Sequence, residues 1–341
     1  MDFWCWIRYA ISLQTSCLSR QRSKSRVIIR FLPEYHLCRH HKQATHASLT
    51  GINYHLAKQL LERNCSVLIA DLALRPEAEE LVKKYSSGSP RAVFVKTDVT
   101  KWKQLQDSIQ ATISEFGGID IVGPGAGVFE EPWSNFWIPP GESPSRDTME
   151  RSSYLTLDIN VTHPVRASQI AISEFLNPAE AKDKASPQNP KRIILTSSIA
   201  GQAFGVPFPL YFTSKHAVSA FARSLGGLED PLGIRVNCVA PGVVKTPLWT
   251  DHPEKLKIFE EGTDTWVTPE EVAEQMIRLM EDPELPGGTI LEVLHKTQRV
   301  VPAFGNPGPG ADGGVGVSTT KGEQAGIEAF ERMTRKGWGK L

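Results

Sequence analysis

A chain of 341 residues, 40% hydrophobic and 22% charged with a formal net charge of zero, has room for one large α/β domain with extensions or at most two domains. The zero hides unlike parts: residues 1–46 carry eight Lys/Arg against Asp2 and Glu34, so the rest of the chain is acidic by six. An acidic body argues against nucleic acid as the main partner, and no apolar run reaches the roughly 18–20 residues that span a bilayer.

The first 46 residues are basic and acid-poor, as mitochondrial transit peptides are, but they also hold Cys5, Cys17, Cys38 and a cluster of His36, His40, His41 and His46. Their spacing matches no metal-ligand pattern, so no metal is expected and the segment reads as a disordered extension. The five cysteines form no CxxC pair, which points to unpaired thiols in a reducing, cytoplasmic setting. Mitochondrial targeting is the alternative that the basic segment raises.

From about residue 52 helical and strand-like segments alternate. A helix is expected over 53–63, with Leu56, Ala57, Leu60 and Leu61 on one face, then a short apolar strand, Ser66 to Ala70. Further strands are expected at Ala92–Val95, Ile119–Val122, Arg192–Leu195, Ile234–Val239 and Thr289–Leu294. Helices are expected near 75–86, 101–116, 147–175, 212–228 and 268–281. This succession builds βαβ units, hence a doubly wound parallel sheet of Rossmann type over about 47–300. Beyond it lies a Gly/Pro-rich extension, 301–341, with a short helix from Glu323 to Thr334. Ligands on such sheets bind past the carboxyl ends of the strands, so the residues just after each strand carry the functional information.

The most specific constellation is Ser198, Tyr211 and Lys215. Tyr-x-x-x-Lys on a helix puts both side chains on one face, where a cation would favour the phenolate and suit the phenol for acid/base work. Ser198 lies 13 residues earlier, just after a strand, where its hydroxyl can hold a substrate oxygen. Asp71 ends the Val67–Ala70 strand, 20 residues beyond Gly51, a spacing at which a carboxylate accepts the ribose hydroxyls of NAD and repels the 2′-phosphate of NADP. Its other reading is a helix N-cap for the segment near Arg75.

Residues 193–216 and the stretch from Arg235 to Pro247 resemble the corresponding segments of short-chain dehydrogenases, including 15-hydroxyprostaglandin dehydrogenases and fungal dehydrogenases of secondary metabolism. The resemblance covers roughly residues 50–300 and implies an NAD-dependent oxidoreductase acting on a small, apolar alcohol or ketone, in a homodimer or homotetramer. It implies that Pro241, Gly242 and Val244 line the nicotinamide, that Thr246 holds its carboxamide, and that Tyr211 and Lys215 also meet the cofactor. It places Asp98 and Val99 at the adenine, and Asn160 at a helix position that steadies a water in a proton relay. Pro124-Gly125-Ala126-Gly127 stands where the family has Asn-Asn-Ala-Gly. Two alternatives follow from the same motifs, an NADPH-dependent ketoreductase and a cofactor-poor pseudoenzyme.

The second alternative rests on a departure. The family's opening loop is Thr-Gly-x-x-x-Gly-x-Gly; here Gly51 and Ile52 match, but Ala47 stands at the first glycine and Asn53 at the last. The polar stretch from Cys38 to His46 is a poor buried strand, so the expectation is a first strand degraded or absent and weak NAD binding. Trp133, Phe136 and Trp137, with Leu248–Trp266, are candidates for an apolar pocket wall. Two glycosylation sequons, at Asn64 and Asn160, are expected to be buried and silent.

Overall fold

The computed structural model describes residues 42–46, 51–250, 265–303 and 322–340. In chain order the main elements are β1 (Lys42–His46), α1 (Ile52–Glu62), β2 (Ser66–Asp71), α2 (Pro76–Lys84), β3 (Ala92–Lys96), α3 (Trp102–Phe116) and β4 (Ile121–Pro124). They continue with α4 (His163–Leu176), β5 (Lys191–Thr196), α5 (Pro209–Ser224), β6 (Ile234–Pro241), α6 (Pro269–Glu281), β7 (Ile290–Leu294), β8 (Thr297–Val300) and α7 (Gly322–Thr334).

All eight strands form one sheet in the order β3-β2-β1-β4-β5-β6-β7-β8. Every pairing is parallel except β7 with β8. The apolar strands explain this. Every residue of β6 is buried, because alternate side chains enter layers on opposite faces of the sheet. Val239 joins a core with Leu56 and Leu60 of α1 and Met276 and Met280 of α6. Val236 and Cys238 join another with Ile109 of α3, Phe175 of α4 and Val218 of α5. The edge strand β8 is exposed throughout and carries no apolar alternation, which is why the sequence did not announce it.

The first strand is present, and this overturns the expectation that it is degraded or absent and that the sheet begins only after residue 46. Lys42–His46 pairs in parallel with β2, Lys42 opposite Ser66 and His46 opposite Ala70, and with β4, Gln43 opposite Ile121 and His46 opposite Pro124. The physical reason is that a ladder is a backbone property. With β2 and β4 packed on shared helices, the gap between them would leave two rows of buried amides and carbonyls unpaired, and an extended segment fills it whatever its composition.

Three smaller expectations also fail. The helix foreseen over 147–175 begins only at Leu155, runs through a π-helical turn at Asp158–Thr162, and becomes regular at His163. Cys65 is disulfide-bonded, against the expectation of unpaired thiols. Asn64 is exposed rather than buried, because the turn from α1 into β2 holds it in the left-handed region at φ 62°. No helix among the described residues is long and apolar enough to cross a membrane.

Candidate active site

The strand order reverses between β1 and β4, and the chain leaves both strands at their carboxyl ends, opening a crevice at the switch point. Nearly all the residues singled out from the sequence lie on its rim: Gly51 and Ile52 before and in α1, Asp71 at the end of β2, Asp98 and Val99 after β3, Gly125 to Gly127 after β4, Ser198 after β5, and Pro241 to Thr246 at and after β6.

The candidate catalytic residues Ser198, Tyr211, Lys215 and Asn160 gather on one side. Ser198 is extended at the end of β5; its hydroxyl accepts from the Ala200 amide at 3.2 Å, donates to the Pro241 carbonyl at 3.4 Å, and lies near the Tyr211 phenol. Tyr211 and Lys215 are one turn apart on α5, with Lys215 Nζ 5.5 Å from the tyrosine ring centre and donating to the Thr196 carbonyl at 3.2 Å. Burial raises the Tyr211 pKa, with the Ser198 hydrogen bond opposing it. Burial lowers Lys215 to about 8, with Cys238 opposing. This direction is opposite to the depression expected from the neighbouring cation, and desolvation is its leading cause.

The amide of Asn160 sits inside the π-helical turn, a feature that often marks functional sites. Its Oδ1 accepts from the Val128 amide at 2.8 Å, and its Nδ2 donates to the Val128 carbonyl at 2.9 Å and to Ser214 Oγ at 3.1 Å. That side chain is fully engaged in tying the segment after β4 to α5, so any part in a proton relay falls to its backbone.

Glu130 was not foreseen. Its carboxylate is 2% exposed; Oε2 accepts from the Tyr211 amide at 3.0 Å and Oε1 from the Phe136 amide at 2.9 Å. It therefore secures the first turn of α5, where the helix dipole favours an anion, to the aromatic loop. No sequence signal distinguishes a solvated glutamate from one folded onto a helix end 81 residues away. The aromatic cluster at the site draws on only part of the expected wall. Phe129 lies 4.7 Å from the Tyr211 ring, and Phe208 at 4.5 Å and Trp249, from the expected Leu248–Trp266 segment, at 5.5 Å pack on Phe129. Phe136 and Trp137 stand outside, about half exposed, with Trp137 Nε1 donating to the Val206 carbonyl at 2.9 Å. Most of Leu248–Trp266 lies outside the described residues.

On the other side of the crevice, Gly51 precedes α1 at φ 66°, and no side chain caps that helix or places an acid in its first turn. The first amides of a helix suit an anion. Asp71 does not cap α2, whose N-cap is Arg75; its Oδ1 accepts from the Leu72 amide at 2.6 Å. Asp98 Oδ1 accepts from both the amide and hydroxyl of Thr100. Thr246 lies against the α1 terminus, where a Cβ on Gly51 would stand 2.3 Å from its methyl carbon. The donor set suits a dinucleotide: amides for phosphate, acceptors for hydroxyls on either side, and a buried Asn53 Oδ1 without a hydrogen-bond partner among the described residues.

The family model described as short chain dehydrogenase matches residues 46–257. A hydroxynaphthalene reductase-like protein from Metarhizium majus is 29% identical over 202 residues, 58% of this chain. The chain spans 66% of that relative's length. A diacetyl reductase from Staphylococcus epidermidis is 27% identical over 219 residues, 64% of this chain and 76% of the relative. A short chain dehydrogenase from Burkholderia cenocepacia, solved with NADP, shares the fold with a TM-score of 0.57 at 22% identity, over 75% of this chain and 98% of that one. A 3-ketoacyl-(acyl-carrier-protein) reductase from Brucella melitensis, solved with NADH, gives 0.56 at 22%, over 74% and 96%.

Proposed function

This chain belongs to the short-chain dehydrogenase/reductase family, and from that premise we propose that it interconverts a secondary alcohol and a ketone with NAD, Tyr211 carrying the proton. The observation that carries the reading is the buried set of Ser198, Tyr211 and Lys215 beside an aromatic wall. A nicotinamide dinucleotide supplies the hydride donor or acceptor when bound. Everything else falls to the chain. Ser198 holds the substrate oxygen, Tyr211 exchanges a proton with that oxygen, and Lys215 carries charge beneath the phenol. Phe129, Phe208 and Trp249 exclude water and favour an apolar substrate.

Pro241, Gly242 and Val244 would line the nicotinamide side. The first amides of α1 would hold the pyrophosphate, with Thr246 beside Gly51, and Asp98, Val99 and Gly125 to Gly127 would frame the adenosine. Asp71 argues for NAD over NADP, since an anion at the ribose repels a 2′-phosphate.

The test is NADH-linked turnover on a panel of apolar secondary alcohols and their ketones, with Tyr211→Phe as the control. The reading expects turnover that the variant loses. Equal turnover by both proteins would refute it.

A further inference from the structure

Gly125 has no backbone reason to be glycine. It lies outside the positive-φ region that favours this residue. The reason is a neighbour: a Cβ at Gly125 would stand 2.5 Å from Asn53 Oδ1 and 2.8 Å from its Nδ2. Asn53, the second residue of α1, is 5% exposed, and its Nδ2 donates to the Gly125 carbonyl at 3.1 Å. That bond fixes the amide's orientation, because the opposite one would set two oxygens against each other. Oδ1 is then a buried acceptor with no partner among the described residues.

We propose that Asn53 and Gly125 are a reciprocal pair that forms the hydroxyl-binding floor of the crevice, with Asn53 Oδ1 accepting from a ribose hydroxyl of the dinucleotide. The inference rests on the dinucleotide reading above. The chemistry narrows the ligand group: a phosphate oxygen only accepts at neutral pH, whereas a ribose hydroxyl donates and is also small enough to approach a helix start. The pair sits where α1 begins and β4 ends, on the two sides of the switch point. A side chain at one position requires its absence at the other. This also accounts for both departures together, an asparagine where the resembled loop has its last glycine and a glycine in place of an asparagine after the fourth strand.

The experiment is a cycle of Asn53→Ala, Gly125→Ala and the double variant in the full chain, read by ligand-free Tm and by calorimetric titration with NAD. Asn53→Ala should weaken NAD about two- to tenfold, the range for one lost hydrogen bond. Gly125→Ala should lower Tm by a few degrees, and that loss should largely vanish in the Asn53→Ala background, where the clash is gone. Unchanged NAD affinity in Asn53→Ala overturns the hydroxyl contact. Equal Tm losses for Gly125→Ala in both backgrounds overturn the reciprocity. If the unsubstituted chain shows no NAD binding, the dinucleotide reading fails and the hydroxyl contact with it, while the Tm cycle still decides the packing.

Discussion

The two sides of the crevice are built on different terms. On the β5–α5 side, function depends on which side chains are present, and Ser198, Tyr211 and Lys215 stand in order and spacing as the motif requires. On the β1–α1 side, function depends on backbone: a strand, a helix terminus, and room for an anion. Backbone tolerates substitution that chemistry does not. A polar Lys42–His46 segment still completes the ladder, and Asn53 occupies a glycine's place once Gly125 makes room. A motif can therefore decay in letters on one side while its geometry survives.

The comparison is broken most severely on the chemical side. Tyr211→Phe removes only the proton-carrying hydroxyl, and general acid/base residues supply roughly 10²–10⁴-fold. Steady-state turnover should fall by about that factor with NAD affinity and Tm near normal; a variant keeping more than about a tenth of the rate would show that Tyr211 merely packs. Asp71→Ala probes the other side. Losing a charged acceptor worth roughly 1.5–3 kcal/mol should shift the NAD/NADP ratio of kcat/KM at least about tenfold towards NADP. An unchanged ratio would show that Asp71 does not set the choice between the two dinucleotides.

Glu130→Ala sharpens the boundary between positioning and chemistry. It deprives the Tyr211 and Phe136 amides of their acceptor, so kcat should drop several-fold, with a loss of roughly 1–3 kcal/mol in denaturant unfolding. A loss of stability with kcat intact would confine Glu130 to the fold.

The smallest effect is one of pH. Lys215 titrates at about 8 rather than near its usual 10.5, so its neutral form accumulates as pH rises through that value. Alcohol oxidation delivers a proton to the Tyr211–Lys215 pair and should speed up across this window, whereas ketone reduction draws one and should slow. Parallel profiles in the two directions would separate Lys215 from the proton path.

Much of this was legible in advance. The apolar runs Val67–Ala70 and Ile234–Val239 signal buried parallel strands because both faces must be apolar, and the Tyr211–Lys215 spacing signals one helical face. What stayed hidden depends on partners distant in sequence. Lys42–His46 is a strand because β2 and β4 demand one, and Glu130 joins the site because its carboxylate accepts from an amide on α5. Phe129 packs on Tyr211 and Phe208 on Phe129, residues far apart in the chain, while Phe136 and Trp137 are about half exposed. The sequence also suggested a phenol eased by its lysine, but burial, which no local pattern reports, sets the opposite direction.

The central claim is that the β1–α1 side still binds a dinucleotide although its glycines are largely gone. Calorimetric titration of the full chain with NAD tests it most directly. The account predicts saturable, one-to-one binding in the roughly micromolar-to-millimolar range in which enzymes meet their substrates. No heat of binding at millimolar NAD, from a chain whose Tm shows it folded, would contradict it.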